Sequence, residues 1–237
     1  MRASQGGSLG TLVQEQIDRW PRTVAEARQV QLRLCRRLRV GGGPRTVRLV
    51  AGADCAFSSD GRTVLAGIAV VALPGLERIA AASAAEPVTF PYVPGYLAFR
   101  EGPVILRALR ELPLRPDLWL FDGQGIAHPR GLGLAAHLGV LMDMPSIGCA
   151  KSRLVGEHGE PGSERGSRVP LVLDGRRVGA VVRTRDGVRP LYVSVGHRIS
   201  LDAAVRWVLA SSRYRVPEPI RLAEQLVNSA KREHGRR

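Results

Sequence analysis

Four carboxylates are candidates for chemistry, and two of them stand where a carboxylate is expensive or unusual. Asp54 lies inside VAGADCAF, a run otherwise made of apolar and small residues. Strands disfavour aspartate, and a buried carboxylate is costly unless it is paired or bound to a cation. Asp122 closes the apolar run LWLF and opens a loop through Gly123 and Gly125. Ligand sites in open α/β sheets gather at the carboxyl ends of strands. Glu101 precedes Gly102-Pro103, close to a predicted helix start, where proline is tolerated and a carboxylate can serve simply as a dipole partner. Glu224 lies in the last amphipathic stretch, where an exposed glutamate is the ordinary finding. Brought together, such side chains offer hard oxygen ligands for Mg²⁺. A cation held there can lower the pKa of a bound water, neutralise charge developing on a phosphate and align an in-line displacement.

The elements that must position these acids can be read from periodicity and punctuation. Residues 1–22 read as a loose arm. Thr23 and Glu26 form a T-x-x-E capping box, and the helix that follows carries an apolar stripe at Val30, Leu34 and Leu38. Gly41–Pro44 ends it. Three β-like runs, 47–57, 63–73 and 76–85, are separated by Ser58–Gly61 and Pro74-Gly75, the pattern of an antiparallel meander. A helix over 99–112, a strand over 118–121, a helix over 134–142 and a strand over 144–150 then alternate as in a parallel crossover. Residues 156–168 form a polar surface loop. Short strands follow at 171–173, 178–184 and 191–195, then helices over 201–211 and 220–229. A meander followed by helix, strand, helix and strand predicts an α/β chain of the RNase H-like fold. Its mixed central sheet joins the three-strand meander to parallel strands and is flanked by helices. The strand acids Asp54 and Asp122 become neighbours across it. The domain is expected over 23–230, with a basic tail at 231–237.

Charge narrows the partner. The chain has 35 Lys+Arg against 21 Asp+Glu, a formal net charge of +14. All but Lys151 and Lys231 of the basic residues are arginine, whose planar fork suits phosphate. A field this positive favours a polyanion. Cys35, Cys55 and Cys149 show neither a C-x-x-C pair nor a zinc pattern and are expected as reduced, buried thiols. The polar start and the lack of a long apolar run predict a cytoplasmic protein with no membrane partner. Of the histidines, His137 reads as core or interface, His197 as a loop histidine or phosphate contact, and His158 and His234 carry no signal.

The chain closely resembles the endonuclease V family, which acts at deoxyinosine. The resemblance is carried by VAGADCAF, PYVPGYLAFREGP, LFDGQGIAHPRGLGLAAHLGV, PSIGCAKSRLVG, YVSVGHRISLD and PEPIRLAE, in that order over roughly residues 20–230. It implies a metal-dependent nuclease that nicks one strand at the second phosphodiester bond 3′ of deoxyinosine, leaving 3′-OH and 5′-phosphate. It further implies Mg²⁺ on Asp54 and Asp122, with Mn²⁺ able to substitute, and a third active-site acid in Glu101. Lys151 would reach the phosphate or the released end. Tyr92 would be the wedge entering the helix where the base leaves the stack. Gly95, Leu97 and Gly123 would surround the base, with His128 on the adjoining loop. Glu224 stands where some relatives carry His and others Asp, so its role is the least defined of the catalytic set. The expected partner is DNA containing deoxyinosine, with inosine in RNA as the alternative, and the expected state is a monomer.

Three rival readings are weaker. Another RNase H-like nuclease would lack PYVPG. A dinucleotide-binding oxidoreductase could use GLGLAA at 131–136, but that run lies nine residues past the strand end, not in the immediate turn. An inactive nucleic-acid-binding module would have no use for Asp54, Glu101, Asp122 and Lys151 together.

Overall fold

In the computed structural model, which describes residues 14–234, strands β1 (Leu49–Phe57), β2 (Thr63–Ala72) and β3 (Glu77–Pro87) form the expected antiparallel meander. Helix α1 (Val24–Cys35) precedes it and begins at the Thr23–Glu26 capping box. Next come α2 (Leu97–Arg110), β4 (Leu118–Phe121), α3 (Leu134–Met142) and β5 (Ser146–Ala150). The chain continues through β6 (Arg168–Leu173), β7 (Arg176–Val182), β8 (Leu191–His197), α4 (Leu201–Ala210) and α5 (Glu218–His234). All eight strands join one sheet in the order β3-β2-β1-β4-β5-β8-β7-β6. β4 runs parallel to both β1 and β5, whereas β8, β7 and β6 extend the sheet antiparallel.

The two faces are buried by different helices. α2 and α3 cover one face through Val104, Ile105, Leu134 and Leu138, which pack on Ala51, Ala53, Trp119 and Phe121. α4 and α5 cover the other through Val205, Val208 and Ile220, against Val50, Leu118, Leu120 and Val193. Alternation along β1 and β4 sends successive side chains into opposite cores, so both strands read as nearly continuous apolar runs. This is the RNase H-like arrangement expected from the sequence.

Four local expectations change. The buried face of α1 is Ala27, Gln31 and Leu34, so a glutamine occupies a core position of the stripe. Residues 14–18 are helical, and Trp20, expected in a loose arm, packs on Phe99 and His137 with ring centroids 5.9 and 5.6 Å away. At the other end, α5 continues through residues 231–234, so these belong to the helix. Residues 1–13 and 235–237, the rest of the expected arm and tail, lie outside the described residues. Finally, the loop 156–168 is tied down by the nearly buried Arg183. Its guanidinium donates to the carbonyls of Pro161, Gly162 and Val188 and to the Glu160 carboxylate.

Candidate active site

The register of β1 and β4 sets the site. Ala53 pairs with Phe121, and the Asp122 N–H donates to Ala53 O at 3.2 Å, carrying the ladder one residue past the end of β4. Asp54 and Asp122 therefore come level on adjacent strands. Alternation places Asp54 on the same face as Gly52, and glycine at 52 and 67 lets α5 lie directly on the sheet. A β-carbon at Gly52 would stand 2.2 Å from Pro219 C, and one at Gly67 2.6 Å from Ala223 O. This close seat brings Glu224, the residue after Ala223, to the strand ends.

Glu101 reaches the same place from α2. It lies five residues into the helix, deeper than expected, and Pro103 sits in the helix interior. A proline there cannot donate to the carbonyl four residues back, Phe99 O. The Trp20 indole N–H supplies that bond at 2.9 Å. Gly102 leaves room for the same ring, since a β-carbon would stand 2.6 Å from it. The helix thus passes through its proline and holds Glu101 nearly buried, 9% exposed.

The electrostatics are those of crowded acids. Burial and then the neighbouring Asp122 carboxylate push Asp54 up to about 7. Burial, followed by Asp54 and Asp122, pushes Glu101 up to about 8. Lys151, just past β5, places its Nζ 2.8 Å from Asp122 Oδ2 and 3.4 Å from Glu224 Oε1. The cluster therefore unites Asp54, Glu101, Asp122, Lys151 and Glu224, drawn from β1, α2, the ends of β4 and β5, and α5. Its donors are all carboxylate oxygens, the ligands of a hard divalent cation. Among the described residues no group of three or more His, Cys, Asp or Glu side chains is arranged to hold a metal ion by itself. Mg²⁺ does not need such a group, since it is commonly held by one or two carboxylates with waters and substrate phosphates filling the octahedron.

Directly beside the acids lies a pocket of about 180 Å³, lined by Tyr92, Gly95, Leu97, Ala98, Gln124, His128 and Leu134, among others. Ala98 and Gln124 are each a few residues from Glu101 and Asp122, so acids and pocket share two segments. Gly123 lies behind the pocket, where a β-carbon would stand 3.3 Å from Leu134 Cδ2. Tyr92 rises at its rim, 74% exposed, with the Arg100 guanidinium 5.8 Å from its ring. The expected substrate-contact residues are thus gathered around one cavity.

The remaining candidates separate from this site. His137 is fully buried among Trp20 and Phe99, and burial lowers it to about 3. His197 accepts from the Arg39 N–H and contacts Asp143 at 3.2 Å. It pairs with Ser146 at the start of β5, the opposite end of that strand from Lys151, and so leaves the acids. His158 contacts the Tyr192 hydroxyl at 3.1 Å. The cysteines are free, but only Cys149 is fully buried, while Cys35 and Cys55 are half-buried. Two residues at the back of the pocket, Gln31 and Arg130, escaped the sequence reading. The signal for Gln31 was present, a polar residue in register with the apolar positions Ala27 and Leu34.

A family model, curated relatives and solved structures agree on the family. A family model described as endonuclease V matches residues 31–225. A curated endonuclease V from Roseiflexus sp. (strain RS-1) is 50% identical over 92% of this chain and 95% of its own length. That from Myxococcus xanthus is 47% identical over 94% and 96%. The crystal structure of endonuclease V from Streptomyces avermitilis superposes with a TM-score of 0.87 at 44% identity, covering 92% of this chain and 97% of that one. Endonuclease V of Ciona intestinalis, crystallised with a 23mer DNA containing an inosine followed by a ribo-adenosine, superposes with a TM-score of 0.80 at 26% identity, covering 89% and 97%.

Proposed function

The chain belongs to the endonuclease V family and is a nuclease, and on that premise we propose that it nicks one strand of DNA beside deoxyinosine, the product of adenine deamination. The cut is placed at the second phosphodiester bond 3′ of the lesion, leaving 3′-OH and 5′-phosphate. The observation that supports this reading is that two unlike sites share the same chain segments, a cluster of carboxylates at the strand ends and a mainly apolar pocket, lined by Arg100 and Gln124, behind an exposed tyrosine. A backbone-cutting enzyme without base selection needs only the first.

Asp54 and Asp122 would hold Mg²⁺, or Mn²⁺ in its place, with Glu101 and Glu224 beside them. The raised pKa values of Asp54 and Glu101 fit this assignment, because burial and then neighbouring carboxylates disfavour their charge, and the single ammonium of Lys151 does not offset the four acids. Bound there, the cation supplies charge neutralisation at the phosphate and a more acidic water. Lys151 supplies a second positive charge where negative charge gathers on the leaving oxygen. Glu101, carried on the helix that Trp20 supports, would stand beside the cation; without it burial and the neighbouring acids raise its carboxyl, and a bound cation would lower it again. Tyr92, stiffened by Pro91 and Pro94, fills the gap when the base leaves the stack, an extrusion that costs a few kcal/mol. The extruded base enters the cavity lined by Gly95, Leu97 and His128.

The test is cleavage of matched oligonucleotides bearing a single deoxyinosine or inosine, as DNA and as RNA, with Mg²⁺ and with excess chelator. The proposal expects Mg²⁺-dependent nicking of the deoxyinosine DNA at the stated bond. Full activity in chelator, or release of free hypoxanthine, contradicts it. Cutting of the RNA alone replaces it with an inosine-directed ribonuclease.

A further inference from the structure

Behind the pocket, three donors meet at a single carbonyl. Gly95 O accepts from Arg130 Nη2 at 2.6 Å, His128 Nε2 at 3.0 Å and Gln31 Nε2 at 3.1 Å. Arg130 Nε in turn donates to Gln31 Oε1 at 2.6 Å, and Gln31 Nε2 also reaches Leu132 O at 3.4 Å. The tautomer of His128 follows from its partners. Its Nδ1 accepts the Arg130 N–H at 3.2 Å, so Nε2 carries the proton and donates to Gly95. Burial, with the nearby Arg130 charge, lowers His128 to about 4, which keeps the ring neutral at ordinary pH. Gln31 is 1% exposed, and every polar atom of its side chain is engaged.

We propose that Gln31 and Arg130, with His128, form a clamp on the Gly95 carbonyl that fixes the wall of the base pocket and so sets selectivity for the lesion. This rests on the reading of that cavity as the base pocket. The segment being held needs such a clamp. Gly95 adopts φ +80, a left-handed conformation in the turn between the exposed Tyr92 and the start of α2. A β-carbon there would stand 2.6 Å from Arg130 Nη2, so the guanidinium is pressed against the bare backbone. The same guanidinium lies 4.1 Å from the Tyr96 ring centroid, a stacked cation–π contact that fixes its plane. Three segments distant in sequence, α1, the turn before α2 and the loop after β4, are thereby locked at one atom.

Two consequences follow. The three donors fix the position and direction of the Gly95 carbonyl, so the clamp acts on the backbone that borders the cavity. His128, expected to contact substrate, has both ring nitrogens committed to the clamp and acts as a positioning residue through Gly95. Gln31 and Arg130 do not touch the cavity and act by the same route. Pocket walls of this kind must hold to about half an ångström if one base is to be told from another.

The experiment compares the full-length wild type with Gln31→Met, which keeps the shape and removes all three bonds, and Arg130→Lys, which keeps the charge but loses the planar fork. Gln31→Glu restores the acceptor for Arg130 and serves as the partial rescue. Thermal unfolding is measured for each variant, and only folded proteins enter the comparison. The readouts are KM and the single-turnover rate at saturating enzyme on deoxyinosine duplex, and the ratio of kcat/KM between deoxyinosine and deoxyadenosine duplexes. The clamp predicts that Gln31→Met and Arg130→Lys lower that ratio about tenfold, chiefly through KM. Their saturated single-turnover rate should stay within about threefold of wild type, with Gln31→Glu between. A ratio unchanged within twofold in both variants overturns the inference, as does a loss that falls on the single-turnover rate instead of KM. If wild type itself shows no preference for deoxyinosine, the proposed function fails, and that result is distinct from either.

Discussion

Asp54 and Asp122 differ from Glu224 in how much structure is committed to them. The first two are fixed by the β1–β4 register, and a chain that shortens either leaves a gap at the strand ends. Asp54→Ala and Asp122→Ala are each expected to lower cleavage by more than the roughly 10–100-fold typical of residues that only support a metal ligand. Binding to deoxyinosine DNA should persist, because phosphate contacts supply much of the affinity. Glu224 is half-exposed on α5 and meets Lys151 at the looser distance of 3.4 Å. Glu224→Ala should therefore cost less than Asp122→Ala, and Glu224→Asp should retain part of the activity. Parallel gel-shift and cleavage assays check all four variants, and near-wild-type cleavage by Asp122→Ala would remove the metal site. The crowding of acids also has a pH signature. Asp54 and Glu101 are raised in the folded state to about 7 and about 8, so folding takes up protons. The stability they contribute is complete below the unfolded carboxylate range near pH 4 and is lost as pH rises through 7 and 8. His128 and His137 are lowered, so their contribution changes only below the unfolded value near 6.5. Between pH 6.5 and 8 the acids act alone among these four groups. In chelator, the melting temperature should fall across that window by roughly 2–4 °C for each kcal/mol lost. Mg²⁺ should restore more at pH 8 than at pH 6.5, since it binds the deprotonated acids. A flat melting temperature in chelator would show that the acids are not crowded as described.

At the scale of elements, the most consequential contact is Trp20 on α2. Its indole N–H satisfies the carbonyl freed by Pro103, and its ring fills the space above Gly102, one residue from Glu101. Trp20→Phe keeps much of the packing and loses the hydrogen bond. It should destabilise by about 1–3 kcal/mol, the cost of leaving a buried acceptor unpaired. Trp20→Ala should cost about 3–5 kcal/mol and lower cleavage as well, because the turn that carries Glu101 loses its support. Urea unfolding and cleavage rates measured below the transition read the two effects separately. If Trp20→Ala leaves both unchanged, Trp20 is not part of the structure that holds Glu101. This contact also shows where sequence reading ran out. The strands, α3 and the strand acids Asp54 and Asp122 were legible because each is written in local terms, as an apolar run, a turn residue or a carboxylate in the wrong company, whereas Glu101 and Glu224 stood out only through the family resemblance. The interior position of Pro103 was not legible, since the compensating donor lies 79 residues away in a segment with no periodicity of its own. The glycines at 52 and 67 read merely as small strand residues, although they set how closely α5 approaches the sheet. The antiparallel addition of β8, β7 and β6 was likewise unwritten, because pairing partners are chosen by the assembled sheet and not by the strand.

Across the whole molecule, charge and selectivity are kept apart. The chain carries a net charge of +14, while the cavity beside the acids is mainly apolar; of the two guanidiniums near it, Arg130 is spent on Gly95 and Gln31, and Arg100, which lines it, lies against the Phe57 and Tyr92 rings. Affinity for the backbone and recognition of the base should therefore respond differently to salt. Each phosphate neutralised by an arginine releases counterions, which lowers log K by about 0.9 per decade of salt for every contact on duplex DNA. If this chain makes six to ten such contacts, its affinity for any duplex should fall about 10³- to 10⁵-fold between 50 and 200 mM salt. Filling a mainly apolar pocket with a neutral base, its one lining guanidinium held against aromatic rings, releases few counterions. The ratio of affinities for deoxyinosine and undamaged duplexes should thus stay within about threefold while both affinities fall together. The measurement is a pair of titrations on matched duplexes across that salt range, in Ca²⁺ or with Asp122→Ala so that no strand is cut. Parallel lines on a double-logarithmic plot are the expected outcome. Lines that converge as salt rises would mean that charged side chains, Arg100 first among them, take part in reading the base, and the apolar account of selectivity would have to be abandoned.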